Sequence, residues 1–184
     1  MPHLKCTYKL LKALGLPQAA LAPEAEAVGS YGDWCANLVP CARQQALLCT
    51  HDATLYSFAV LGVRRAELRH IGSLFLDHLR VNLTAEALPP PLVDQVVAAY
   101  QRLTITRTDN RSVIGSMNNL ALMLEGYVQD ADVRRGDDMR GLNRQLNRTP
   151  HQPLGWKYAI EALRERWLGA YAVPGQPREQ VFLN

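Results

Sequence analysis

Between Leu103 and Val128 the chain reads LTITRTDNRSVIGSMNNLALMLEGYV, and no other stretch limits the fold as tightly. Its opening, Leu103 to Thr108, is rich in threonine and isoleucine, which suit the half-buried surface of a strand. Its remainder sets Val113, Met117, Leu120, Leu124 and Val128 three or four residues apart, the stripe of a helix that buries one face. A strand passing directly into a long one-sided helix calls for a sheet on which that helix can lie. Polar residues crowd the junction: Arg107, Asp109, Asn110, Arg111, Ser112, Ser116, Asn118 and Asn119. The first N–H groups of a helix have no partner inside it and attract anions, so this junction is the first candidate binding site. Asp109 or Ser112 is the expected cap.

The flanking segments complete an α+β pattern. His3 to Thr7 suits a short strand, followed by a helix through Leu10, Leu11 and Leu14 that stops at Gly15, with Pro17 beyond it. Residues 18–30, rich in Ala, Gly and Glu around a proline, suit a surface connection. Three β-like runs, Trp34 to Val39, Gln44 to Thr50 and Thr54 to Leu61, are expected to form an antiparallel meander. Leu68, Ile71, Phe75 and Leu79 mark a helix over Arg65 to Leu83, Pro89-Pro90-Pro91 breaks the chain, and Leu92 to Gln101 forms a second helix. The expectation is a small, mainly antiparallel sheet covered by helices within residues 1–129. Residues 130–184 would add a helical C-terminal extension packed on the same domain. That extension is expected to hold a short helix starting near Asp137 and Asp138 and a last helix from Gly155 to Tyr171.

A length of 184 residues with 48% apolar content suits one core. The formal charge of +3 is too mild to establish a nucleic-acid partner. Sixteen of the 20 basic residues are arginine, and Arg140, Arg144 and Arg148, four apart, would line one basic helix edge continuing from Arg134 and Arg135. With Trp156 and Tyr158 nearby for stacking, that edge is a candidate phosphate contact, although neighbouring aspartates offset its charge. No run of about 18 apolar residues appears and no export signal is evident, so the expected setting is cytoplasmic, without a membrane.

Cys35, Cys41, Cys49 and His51 lack the paired two-to-four-residue spacing of a zinc knuckle, and the expectation is free thiols with no metal and no cofactor. Ser112 and Ser116 sit outside any hydrolase elbow, since Ile114-Gly115-Ser116-Met117-Asn118 carries a single flanking glycine. Trp34, after Gly32 and Asp33, is expected in the core rather than in a recognition pocket.

Several phrases in order, KCTYKLLKALG, GDWCANLV, ALLCTHDATLYSFAV, TRTDNRSVIGSMNNLA and LNRTPHQPLGWKYAIEALR, resemble an uncharacterised bacterial family defined as a domain of unknown function. The resemblance spans most of the chain and implies a small bacterial cytosolic protein with no assigned activity. Cys35 stands where the family phrase suggests an aromatic residue, so a site dependent on it would not be a family property. The leading functional expectation is a binding or regulatory protein that recognises an anionic partner, such as nucleic acid. Arg107, Arg111 and the edge Arg140, Arg144 and Arg148 would make the contact, with Asp109, Asn110, Ser112, Ser116 and Asn118 around them. The alternatives are a small hydrolase or transferase using the turn from Asp109 to Asn118, and an antitoxin-like or phage-related protein-interaction module whose C-terminal helices meet a protein partner.

Overall fold

The computed structural model describes residues 1–17, 30–108, 110–133 and 138–170. The expected connection over 18–30, the helix start at Asp137, the basic pair Arg134 and Arg135, and Tyr171 fall wholly or mostly outside those residues. The fold is α+β. Strands β1 (His3–Cys6), β2 (Trp34–Cys41), β3 (Gln44–His51), β4 (Ser57–Leu61) and β5 (Thr104–Arg107) form one sheet in the order β4-β3-β2-β1-β5. The meander β2–β3–β4 is antiparallel and supplies most of the paired positions, whereas β1 lies parallel to both β2 and β5. Parallel neighbours need crossovers, and helices supply them: α1 (Tyr8–Leu14) follows β1, while α2 (Arg65–Leu68), α3 (Ile71–Ala85) and α4 (Pro90–Ala99) lead from β4 to β5.

Both faces of the sheet are covered, which explains why the strand sequences run apolar instead of alternating. Leu4, Cys6, Trp34, Ala36, Leu47, Cys49 and Phe58 face one core, closed by Leu10 and Leu11 of α1, Phe75 and Leu79 of α3, Val93 and Val96 of α4, and Leu163 and Trp167 of α7 (Ala159–Ala170). Cys35, Val39, Ala46, Leu48 and Ala59 face a second core under α5 (Arg111–Asp130) and α6 (Arg140–Leu146). All five apolar positions expected on α5, Val113 to Val128, are buried. Helices α6 and α7 therefore pack into the two cores, Leu146 entering one and Leu163 and Trp167 the other. No helix among the described residues is long and apolar enough to cross a membrane.

Local chemistry explains where expectation and structure part. Asn110, not Asp109 or Ser112, caps α5, its Oδ1 accepting from the Val113 N–H at 3.2 Å; Asp109 itself lies outside the described residues. The triple proline does not precede α4 but begins it: Pro90 and Pro91 take the first helical positions, where a missing N–H costs nothing. The helix expected over Arg65 to Leu83 is broken at Arg69 and His70, where His70 leaves helical geometry. The last helix begins at Ala159. Before it, left-handed Gly155 and Trp156 shape a turn between the two-residue strands β6 (Pro150–His151) and β7 (Lys157–Tyr158).

Gly32 is the glycine whose identity the packing dictates. Its φ is +85°, and a Cβ there would lie 2.5 Å from Nε2 of His51. His51 is buried, accepts from the Thr54 N–H at Nδ1, and donates from Nε2 to the Tyr31 carbonyl at 2.7 Å. The same carbonyl accepts from the Tyr100 hydroxyl and from Trp167 Nε1, tying α4 and α7 to the entry of β2. Trp34 is a core residue, its ring 5.3 Å from that of Phe75.

Candidate functional site

The strand-to-helix junction divides its polar residues among separate tasks. Asn110 is consumed as a cap. Ser116 is buried and donates to the Ser112 carbonyl at 3.2 Å, the usual way a helical serine satisfies its hydroxyl. Ser112, Asn118 and Asn119 are exposed along α5. Neither serine hydroxyl is engaged by a histidine or carboxylate among the described residues.

Arg107 and Arg111 are both exposed. Arg107, at the end of β5, joins α1 in lining an open cleft of about 390 Å³ with Tyr8, Leu11, Lys12, Gly15, Leu16 and Pro17. Helical spacing explains the grouping: Tyr8, Lys12 and Gly15 follow one another at four and three residues, so they lie on one side of α1. Thr7 caps the helix start and left-handed Gly15 ends it, its N–H bonding back to the Leu11 and Lys12 carbonyls. Tyr8 is 71% exposed although aromatic. No carboxylate among the described residues pairs with Lys12 or Arg107.

The arginine edge is engaged within the fold. Arg148 makes a two-pronged pair with Glu86, at 2.9 and 2.6 Å, and the Glu86 side chain is only 1% exposed. Arg144 approaches the same carboxylate at 4.0 Å, and Arg164 donates to the Glu86 carbonyl at 2.7 Å. Arg140 turns back onto Asp138, which also accepts the Arg140 backbone N–H; this exposed pair holds the Asp138 carboxyl down at about 2. Trp156 and Tyr158 are both exposed.

A second charge cluster spans β1, β2 and the β3–β4 turn. Asp33 accepts from the His3 backbone N–H at 2.9 Å and pairs with Lys5 Nζ at 3.1 Å, while Asp52 lies 3.7 Å from the same ammonium. Burial pulls the Lys5 pKa down, but the bond to Asp33 and the two carboxylates outweigh it, leaving it above its ordinary 10.5. Cys35 sits beside this cluster and contacts the Thr108 hydroxyl, yet burial lifts its thiol to about 11. Burial raises Cys6 to about 12, Cys41 to about 11 and Cys49 well above its ordinary value, so none is a ready thiolate. All four cysteines are free, and among the described residues no group of three His, Cys, Asp or Glu side chains is placed to hold a metal.

Sequence reasoning missed Lys12 and Tyr8 because the apolar residues of α1 drew attention to its buried face. It also missed the partners of Asn143 and Asn147. Asn143 Oδ1 accepts from the Ala59 N–H at 2.9 Å and its Nδ2 donates to the Ala59 carbonyl at 3.2 Å; Asn147 does the same for Ser57, at 2.7 Å each way. Four residues of helix advance about 6 Å and two of strand about 6.7 Å, so asparagines one turn apart reach alternate residues of β4. The tandem phrase LNRQLNR carried that signal.

A family model described as a domain of unknown function (DUF6933) matches residues 3–162. No curated protein and no solved structure matches the chain.

Proposed function

The chain belongs to the DUF6933 family, and since that membership brings no activity with it, we propose from the geometry that it is a binding protein for an anionic group on a partner. The recognition site is the cleft between α1 and the end of β5. One observation carries the reading: Lys12 and Arg107, far apart in sequence, line one open cleft without a carboxylate partner among the described residues. Two cations held near each other repel, and a bound carboxylate or phosphate relieves that repulsion while using the bidentate fork of arginine. Exposed Tyr8 adds a flat face and a hydroxyl. Arg144 and Arg148 serve the fold through Glu86 and are not needed for recognition. Four free thiols suit a reducing compartment, which favours a bacterial cytoplasm as the setting.

Inorganic phosphate titrated at low ionic strength tests the reading by amide chemical shifts. Lys12, Gly15 and Arg107 should move together and saturate, and both Arg107→Ala and Lys12→Ala should weaken the response. Shifts scattered over all surface cations, unchanged by either substitution, would remove the cleft from consideration.

A further inference from the structure

The two edges of the sheet are finished differently, and the difference bears on what the cleft receives. On β4, the outward N–H and C=O groups of Ser57 and Ala59 are occupied by Asn147 and Asn143. On β5, Thr104 N–H donates inward to the Pro2 carbonyl and Thr108 N–H inward to the Cys6 carbonyl. In a ladder the direction alternates, so the backbone groups of Ile105 and Arg107 point outward. Among the described residues no strand and no side chain takes them. We propose that β5 is a docking edge for an extended acidic peptide, which pairs with Ile105 and Arg107 as a sixth strand and lays an acidic side chain over the α1 cleft.

Three observations select this occupant. First, Ile105 and Arg107 share a sheet face with Leu4 and Cys6, the face on which α1 packs, so a cross-strand neighbour of Arg107 lies toward the cleft. Second, the cleft combines Lys12 and Arg107 with apolar Leu11, Leu16 and Pro17, which suits a carboxylate carried on an otherwise β-prone segment. Third, charge argues against a second copy of this chain, whose own Arg107 and Lys12 would meet these across an edge-to-edge interface. A nucleic acid satisfies the cations but has no alternating amide and carbonyl groups to match Ile105 and Arg107. The inference rests on the anion-binding reading and adds to it the backbone partner.

The test selects peptides from a randomised seven-residue display library on the full chain and examines the enriched sequence as a synthetic peptide. The expected product has an acidic residue among alternating β-branched ones, and its binding slows hydrogen exchange at the Ile105 and Arg107 amides. N-methylation of the peptide amides that face β5 should cost about tenfold or more in affinity, the consequence of losing one or two main-chain hydrogen bonds. Arg107→Ala and Lys12→Ala should each cost several-fold. Failure to enrich any peptide, protection of amides elsewhere, or displacement of the peptide by a single-stranded oligonucleotide of equal charge would overturn the proposal. An N-methylated peptide that binds as well as its parent, while Arg107→Ala still weakens it, would refute strand pairing and leave anion binding standing. The reverse pattern, with N-methylation harmful and both cation substitutions silent, would keep the edge and refute the anion site.

Discussion

The sheet ends in two strands of similar length that have opposite surroundings. β4 is sealed by side-chain amides from α6, whereas the outer backbone of β5 is left unpaired among the described residues and beside two exposed cations. An unpaired edge invites association with other chains, and folds blunt it by covering, shortening or charging it. This molecule covers one edge and leaves the other short, with an arginine at its end. The cover is the more specific device, because an asparagine amide places an N–H beside a C=O in the arrangement of a peptide group, and Asn143 keeps its second N–H for Asn82 Oδ1. The lesson is that α6 belongs to the sheet in the sense that matters energetically, though it forms no strand.

The largest expected effect lies at the sealed edge. Replacing Asn143 by leucine strips partners from the Ala59 N–H and carbonyl and from Asn82 Oδ1, which all lose hydrogen bonds at a buried location. At about 1–3 kcal/mol per orphaned group, and with some relaxation, a loss of about 2–4 kcal/mol is expected in chemical denaturation. Asn147→Leu should match it, and the double variant should self-associate through β4. A loss below about 1 kcal/mol would mean that α6 covers the edge without stabilising it, and the contrast between the edges would collapse.

Next in size is the ion pair behind that cover. Removing one partner of a buried pair strands the other charge, at a cost of about 3–5 kcal/mol when both are fully buried. Arg148 is 37% exposed on its side chain and Arg144 stands 4.0 Å from the same carboxylate, so the expectation for Arg148→Met falls to about 2 kcal/mol. Combining it with Glu86→Gln should recover much of that loss, and additive losses in that double-mutant cycle would show that the pair is not coupled.

How much of this was legible in sequence follows from which forces are local. The apolar spacing of α5, the turn at Gly15 and the meander runs depend on period and local backbone preference, and they appear where expected. The parallel insertion of β1 between β2 and β5 depends on contacts distant in the chain, and short apolar strands do not encode their neighbours. The candidate site divided the same way. Arg107 was visible as a charge at a strand end, but the cleft it lines with Lys12 of α1 was not, because that grouping joins residues 95 positions apart in the chain. The arginines of LNRQLNR suggested a basic surface, whereas burial of Glu86, set by the packing of α3 on α6, gives them an internal partner.

A smaller effect common to both edges comes from acid. His51 is neutral because burial lowers its pKa below the ordinary 6.5; Arg166 pushes the same way, while the Tyr31 carbonyl and the carboxylates Asp52 and Asp33 oppose it. The unfolded chain takes up this proton below 6.5 and the folded chain does not. Stability is thus present in full above 6.5 and lost as pH falls from there toward the folded value, by up to about 1.4 kcal/mol per pH unit for a single such group. His78 and His151, also lowered by burial, add to the slope. His51→Gln should flatten part of that slope in denaturation series between pH 7 and 5. Because β3 lies inside the sheet, acid should weaken both edges equally, and selective opening of β4 would assign the sensitivity to α6.

The smallest stability effect is expected at the open edge, and its smallness is the sharper half of the comparison. Arg107 and Lys12 are exposed and bond to no described side chain, so Arg107→Ala and Lys12→Ala should each change stability by less than about 0.5 kcal/mol, the usual range for surface positions. A mild gain from Arg107→Ala is also consistent, because it removes like-charge repulsion across the cleft. Residues that do nothing for the folded state yet sit together beside a backbone edge left unpaired among the described residues are those a binding role would place there. If instead either substitution cost more than about 1 kcal/mol, Arg107 and Lys12 would be holding β5 and α1 together, and the two edges would differ in chemistry but not in purpose.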